Sequence, residues 1–300
     1  MAHAADVILP VQPAPGLPAV RFIGVADLKY ALAKGLDDFR AMPTHVIFLS
    51  LIYPIAGLAL WRATYGSDLV PLLYPLAAGF ALVGPFAAVG LYELSRRREM
   101  GLDTSWRHAA DIRHSPSLWS ILALGFLLLV LFGVWLAVAN GIYVAYFGYH
   151  QPASLTDFVN MVFGTGAGHS LILVGNAVGF LFALLAFALS AVSFPLLLDR
   201  NVGVPVAIAT SAKVILRNPL TMALWGLIVA AALLLGSLPL FFGLAVVMPV
   251  LGHATWHLYR RVVEPDNGPR PEYHPQPKGR RYAADFPSSL FASYSRGDRR

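Results

Sequence analysis

Apolar residues in this chain fall into long runs, with the charged residues gathered between them. The first run extends from about His45 to Trp61, the second from Leu69 to Leu94 with Pro71, Pro75 and Pro85 inside it, and the third from Leu118 to about Tyr143. Between Asp157 and Asp199 no residue is formally charged, a stretch too long for one helix. It divides into a short surface segment at Leu155–Phe163, a glycine-rich turn (Gly164, Gly166, Gly168) and a fourth run at His169–Leu198. The fifth run covers Leu220 to Leu235, and Gly236-Ser237-Leu238-Pro239 turns the chain into a sixth, Leu240 to about Tyr259. A spanning helix needs about 20 mostly apolar residues. The pattern therefore predicts an all-α polytopic membrane protein, its six transmembrane helices paired as three hairpins.

Each hairpin is preceded by a stretch of helical period, and the three units share one plan. Val25, Leu28, Leu32, Leu36 and Phe39 follow a 3.6-residue spacing, with Asp27, Lys34 and Asp38 on the opposite face. Asp103 to Arg113, led by Trp106, is the second such stretch. In the third, Pro205 starts a helix and Ile208, Ala212 and Ile215 share a face. Such helices are expected to lie in the headgroup region, apolar side down. Each ends in Arg followed closely by Pro: Arg40 and Pro43, Arg113 and Pro116, Arg217 and Pro219. A proline is well placed in the first turn of the helix that follows. Each even-numbered run then carries a proline near its inner half, at Pro85, Pro195 and Pro249. A pseudo-threefold internal repeat accounts for this plan, with units at about 25–100, 101–202 and 203–260; a regular rhythm without common ancestry is the alternative. Residues 1–24, with four prolines and no basic residue before Arg21, read as a flexible lead-in without a signal peptide. Residues 261–300 read as a disordered tail.

Charge tests the threading independently, because cytoplasmic loops carry an excess of Lys and Arg. With both termini inside, 21 of the 22 basic residues fall on the cytoplasmic side, and only Arg62 lies outside. The formal net charge of +6 is thus a difference between two faces, and no basic stripe on a soluble module suggests nucleic acid. Composition agrees, with 57% hydrophobic and 13% charged residues. The absence of cysteine excludes disulfides, thiolate metal sites and cysteine nucleophiles.

Polar groups within membrane runs are costly, which makes them the first candidates for function. His253 and His257 stand four apart on one face of the sixth run, a spacing that suits metal or haem ligands. No Glu or third ligand completes that motif, so an interfacial belt with Trp256 and Tyr259, heads reaching water, is the favoured reading. Glu93 occupies the repeat position matching His257, where an inter-repeat hydrogen bond is favoured over proton transfer. Asn176 sits between Gly175 and Gly179, which form a small-residue face for helix approach across which an amide can bond. Asp199-Arg200 reads as a local ion pair, and His150 and His169 as exposed on the outer face. No phosphate-cradling loop or nucleophile elbow is present, so the chain is not expected to be an enzyme.

The strings Gly90-Leu-Tyr-Glu-Leu-Ser-Arg-Arg-Arg-Glu99, Phe194-Pro-Leu-Leu-Leu-Asp-Arg200, Gly236-Ser-Leu-Pro239 and Pro249-Val-Leu-Gly-His-Ala-Thr-Trp-His-Leu-Tyr-Arg260 resemble a family of predicted bacterial integral membrane proteins, mainly alphaproteobacterial and of unassigned function. The resemblance runs from Val20 to Val263 and implies an inner-membrane location, with no established activity. An oxidase-like label carried by some members finds no support in the residues, which offer too few intramembrane histidines. The leading expectation is a non-enzymatic accessory, assembly or packing partner of a membrane complex, with the bilayer as its main partner, no nucleic acid, no cofactor and an open oligomeric state. A small-solute transporter or channel is the first alternative. A haem-binding redox protein using His253 or His257 is the second.

Overall fold

In a computed structural model, residues 17–42, 70–150, 152–239 and 242–265 are described, and these are helical apart from turns and a lone antiparallel bridge, Val20 to Val263. The first predicted run, Pro43, Arg62 and most of both terminal segments lie outside the described residues. Among the described residues, three stretches are long and apolar enough to cross a membrane: α4 (Leu118–Phe147), the combined length of α6 (Gly166–Ser190) and α7 (Ser193–Asp199), and α9 (Pro219–Ser237). The surface segment before α6 is a helix too, α5 (Leu155–Gly164), and the glycine-rich turn shrinks to Thr165 between them. The Ser154 and Thr165 side chains cap α5 and α6 by accepting from Asp157 N and Gly168 N.

The second run is interrupted. It is split into α2 (Leu73–Ala87) and α3 (Val89–Glu99), with the break at Ala88. Pro85 lacks the N–H of an i→i−4 bond and crowds the preceding turn, and α3 carries Glu93, Arg96, Arg97, Arg98 and Glu99. The sixth run forms α10 (Leu244–Val262), whose second half bears His253, His257, Arg260 and Arg261. That half is too polar to count as a span by composition. The second amphipathic stretch is a 3-10 helix, Trp106–His114, and the third is α8 (Val204–Arg217). In α8 the buried face runs through Ala207, Thr210, Ser211 and Val214, a step round from the expected Ile208, Ala212 and Ile215.

Arg113 and Arg217 each lie in the last turn of their helix, as does Arg40 in α1 (Val25–Ala41), where a cation complements the carbonyl end of the macrodipole. Pro219 opens α9, and Pro116 lies in the turn leading into α4. At Arg113–Pro116 and Arg217–Pro219 the motif is therefore helix punctuation: one helix stops and the next begins. Pro195 and Pro249 are buried inside α7 and α10.

The main core lies where α1 runs along α10, with α3, α7 and the 3-10 helix packed around them. Leu28, Leu94, Phe194, Leu197, Trp256 and Leu258 are at most 1% exposed. Burying each such side chain contributes roughly 1.5–3 kcal/mol. Two close approaches set the geometry. A Cβ on Gly35 of α1 would stand 2.6 Å from Ala254 N, and one on Gly252 of α10 would stand 2.7 Å from a Leu91 methyl carbon of α3. Only glycine lets these backbones meet.

Candidate functional site

The polar residues of α1, α3 and α10 converge inside this core. On α1 the buried stripe is Leu28, Ala31, Gly35 and Asp38, so Asp38 lies on the inward face and not opposite it. Its neighbours explain the reversal. One carboxylate oxygen, Oδ2, accepts from Ser95 Oγ at 2.6 Å and from His257 Nε2 at 2.8 Å, while Oδ1 accepts from Arg98. A carboxylate with donors on both oxygens is stable where a bare one is not. Burial alone pushes the Asp38 carboxyl up, but the His257 and Ser95 hydrogen bonds and the charge of His257 outweigh it. They lower its pKa from 3.8 to about 2.

Ser95 links this carboxylate to the deeper histidine, with 2.7 Å between its Oγ and His253 Nδ1. Ser95 has one proton, directed at Asp38, so Nδ1–H is the donor into the serine oxygen. The other nitrogen, Nε2, is buried without a hydrogen-bond partner among the described residues. His257, Asp38, Ser95 and His253 thus form one chain from the half-buried edge of the bundle to its interior. Chemically it can hold a proton and can move one between neighbours. Mechanically it ties three helices together.

The belt expected for the two histidines is therefore corrected. His253 is 0% exposed and His257 retains 15% of its side-chain surface, because the close α1–α10 approach covers them. Both share a face, as their spacing requires, but His257 Nε2 and His253 Nδ1 are engaged by Asp38 and Ser95. Among the described residues no group of three His, Asp or Glu side chains is placed to hold a metal ion. The proposed Glu93–His257 bond is corrected as well. Glu93 pairs with Arg96 at 2.7 Å and lies 3.9 Å from Arg97 on its own helix, while His257 goes to Asp38.

A second buried ionic cluster adjoins the first. Tyr259 donates to Asp199 at 2.7 Å, Arg200 and Arg260 lie 3.7 and 3.6 Å from the same carboxylate, and Arg260 and Trp256 both donate to Glu99. The local Asp199–Arg200 pair is thus one edge of a larger network. Asn176 lies far from both clusters in sequence and fold. Its Oδ1 accepts from Tyr74 of α2 at 2.7 Å and its Nδ2 donates to Ile172 O, the cross-helix bond expected of it. Gly179 faces Trp135, whereas a Cβ on Gly175 would meet nothing within 4 Å. His150 and His169 are exposed.

Asp38, Ser95 and Arg98 escaped the sequence reading. Their signal was weak but present: Asp38 continues the small-residue spacing of Ala31 and Gly35, and Ser95 and Arg98 sit two and five residues beyond Glu93.

Residues 73–199 match the family described as "Predicted integral membrane protein (DUF2189)". The match begins at the first residue of α2 and ends at the last of α7. Ser95 and Arg98 lie inside it, and Asp38, His253 and His257 outside. No curated protein matches the chain, and no solved structure does.

Proposed function

We propose that this integral membrane protein is a non-enzymatic accessory or packing partner of a larger membrane complex. The observation that carries the reading is the outward surface of its apolar helices. Only 28%, 6% and 17% of the most apolar windows of the three span-like stretches are buried within the chain. Leu220, Trp119 and Leu173 are 86%, 79% and 74% exposed. The charged side chains of the core, by contrast, are engaged with one another, so the chain offers large apolar faces and few reactive groups.

The finer threading belongs to the same proposal. Six spans form three hairpins in a bacterial inner membrane, with both termini cytoplasmic, and the triplicated Arg–Pro plan reflects an internal repeat. The 21-to-1 division of basic residues supports the orientation. The polar cap formed by α1, α3 and the second half of α10 then faces the cytoplasm.

Purification from native membranes in mild detergent tests the role. Another membrane protein should be retained at fixed stoichiometry through two chromatographic steps. A chain that emerges alone, and that moves a solute when reconstituted, overturns the reading in favour of transport; a Soret band lost on His257→Ala overturns it in favour of haem.

A further inference from the structure

Away from the polar cap, α2, α4 and α6 line a half-open groove of about 390 Å³ on the outer surface of the helices. That volume lies within the range of small-molecule sites. Its walls are aromatic: Tyr74, Trp135, Phe180 and Phe182. Trp135 is fixed in place by the bond from its Nε1 to Pro75 O at 2.9 Å and by tilted contact with Phe182, ring centroids 5.5 Å apart. Gly175 supplies an open stretch of wall, since a Cβ there would reach nothing.

The polar group in this groove, the exposed Asn176, is incompletely used. Asn176 lies ten residues from the start of α6, roughly 15 Å along the axis at 1.5 Å per residue, near the middle of a bilayer about 30 Å thick. Its amide oxygen accepts from Tyr74, and one amide hydrogen goes to Ile172 O. The second amide hydrogen has no partner among the described residues. In hydrocarbon an unsatisfied donor costs several kcal/mol. The site therefore presents one hydrogen-bond donor among tilted aromatic rings, in a medium that contains almost no acceptors.

We propose that this groove binds a membrane-dissolved planar ring compound bearing a carbonyl oxygen, the quinone class. The ring lies against Trp135 and Phe180, where offset and edge contacts between aromatic surfaces are favourable, and its carbonyl accepts the free Asn176 hydrogen. A lipid acyl chain fills the same volume but leaves that donor unpaired. The inference is one of binding alone and stands independently of the accessory role.

Menadione, a short ring quinone, is the probe. Titrated into the purified protein in nanodiscs, it should quench part of the tryptophan fluorescence with a saturable curve. Trp135→Phe should remove most of the saturable amplitude. Gly175→Leu, which fills the groove from a position with room for a side chain, should weaken binding at least tenfold, and Asn176→Ala about five- to tenfold. Quenching that is linear in menadione, or a saturable curve unchanged in both Gly175→Leu and Asn176→Ala, overturns the proposal. Equal competition by hexadecane overturns the ring assignment and leaves a groove for acyl chains. Should Gly175→Leu fail to fold, Asn176→Ala and Trp135→Phe decide the question.

Discussion

Along α6, Leu173, Phe180 and Leu181 are each more than 60% exposed; along α3, seven successive residues from Leu91 to Arg97 are buried, Glu93 and two arginines among them. The apolar helix turns its side chains outward and the charged helix turns them inward, the reverse of a protein folded in water. An apolar surround, lipid or the helices of a partner, accounts for the first half. It solvates leucine and phenylalanine, so burying them against each other yields little, and helix association there rests on packing and small residues. The second half follows from the first. Specific hold must come from where water is available as the competing solvent, and there the chain combines hydrophobic burial with ion pairs that leave few groups unsatisfied.

Glycine substitutions put this contrast to its severest test. Gly35→Ala forces a Cβ to within 2.6 Å of the α10 backbone, which cannot yield locally. It should lower stability by about 3 kcal/mol or more, at the upper end for overpacking, whereas Gly175→Ala, facing open space, should raise it by about 0.5–1 kcal/mol through helix propensity. Unfolding in a mild detergent, followed by circular dichroism, compares them. Similar effects at the two positions would abolish the distinction between a tight cap and loose spans.

Removing one side of a buried ion pair comes next. Glu93→Gln leaves Arg96 buried beside a neutral amide and should cost about 3 kcal/mol. Asp38→Asn removes the charge and one of the two acceptor oxygens shared by Arg98, His257 and Ser95, and should cost about 2 kcal/mol by loosening α1 from α10. Protease sensitivity within α1 would report that loosening specifically.

Acid titration sharpens the same point. Because the folded protein holds Asp38 at about 2 against an ordinary 3.8, its contribution to stability is complete above about pH 4 and is lost as the pH falls through about 2. The loss should amount to about 2 kcal/mol, and in Asp38→Asn that part of the pH dependence should vanish. An unchanged acid slope in the variant would show that the carboxylate is not held as the geometry requires. The smallest effect belongs to the apolar helices: Leu227→Ala, at a residue 65% exposed, should change stability by less than about 0.5 kcal/mol.

Hydrophobic runs and helix punctuation were legible in the chain because they depend on local spacing. The runs at Leu118 and Leu220, the surface helix at Leu155 and the Arg–Pro stops all emerge within a few residues of their expected places. What the pattern hid depends on partners far away in sequence. Asp38 looks like the polar face of an amphipathic helix until Ser95 and His257, 57 and 219 residues later, supply its donors. Glu93 looked like a partner for His257 because the repeat aligned them, yet arginines one turn away on its own helix were nearer. A lone amide in an apolar run points to a bond across helices, and the Asn176 oxygen accepts from Tyr74 of α2.

Two segments far apart in sequence, Ala19–Ile23 and Val262–Glu264, also meet. Glu264 N donates to Ala19 O at 2.9 Å, Arg21 N donates to Val262 O at 2.7 Å, and the Ile23 and Arg21 backbone groups are clasped by Asn218. Residues 19–23 are thus held by groups about 200 residues and more along the chain. Joining residues 19 and 264 by a short linker and opening the chain after Gly148, where the backbone already turns with φ +62°, should give a permuted protein that reaches the same packed cap.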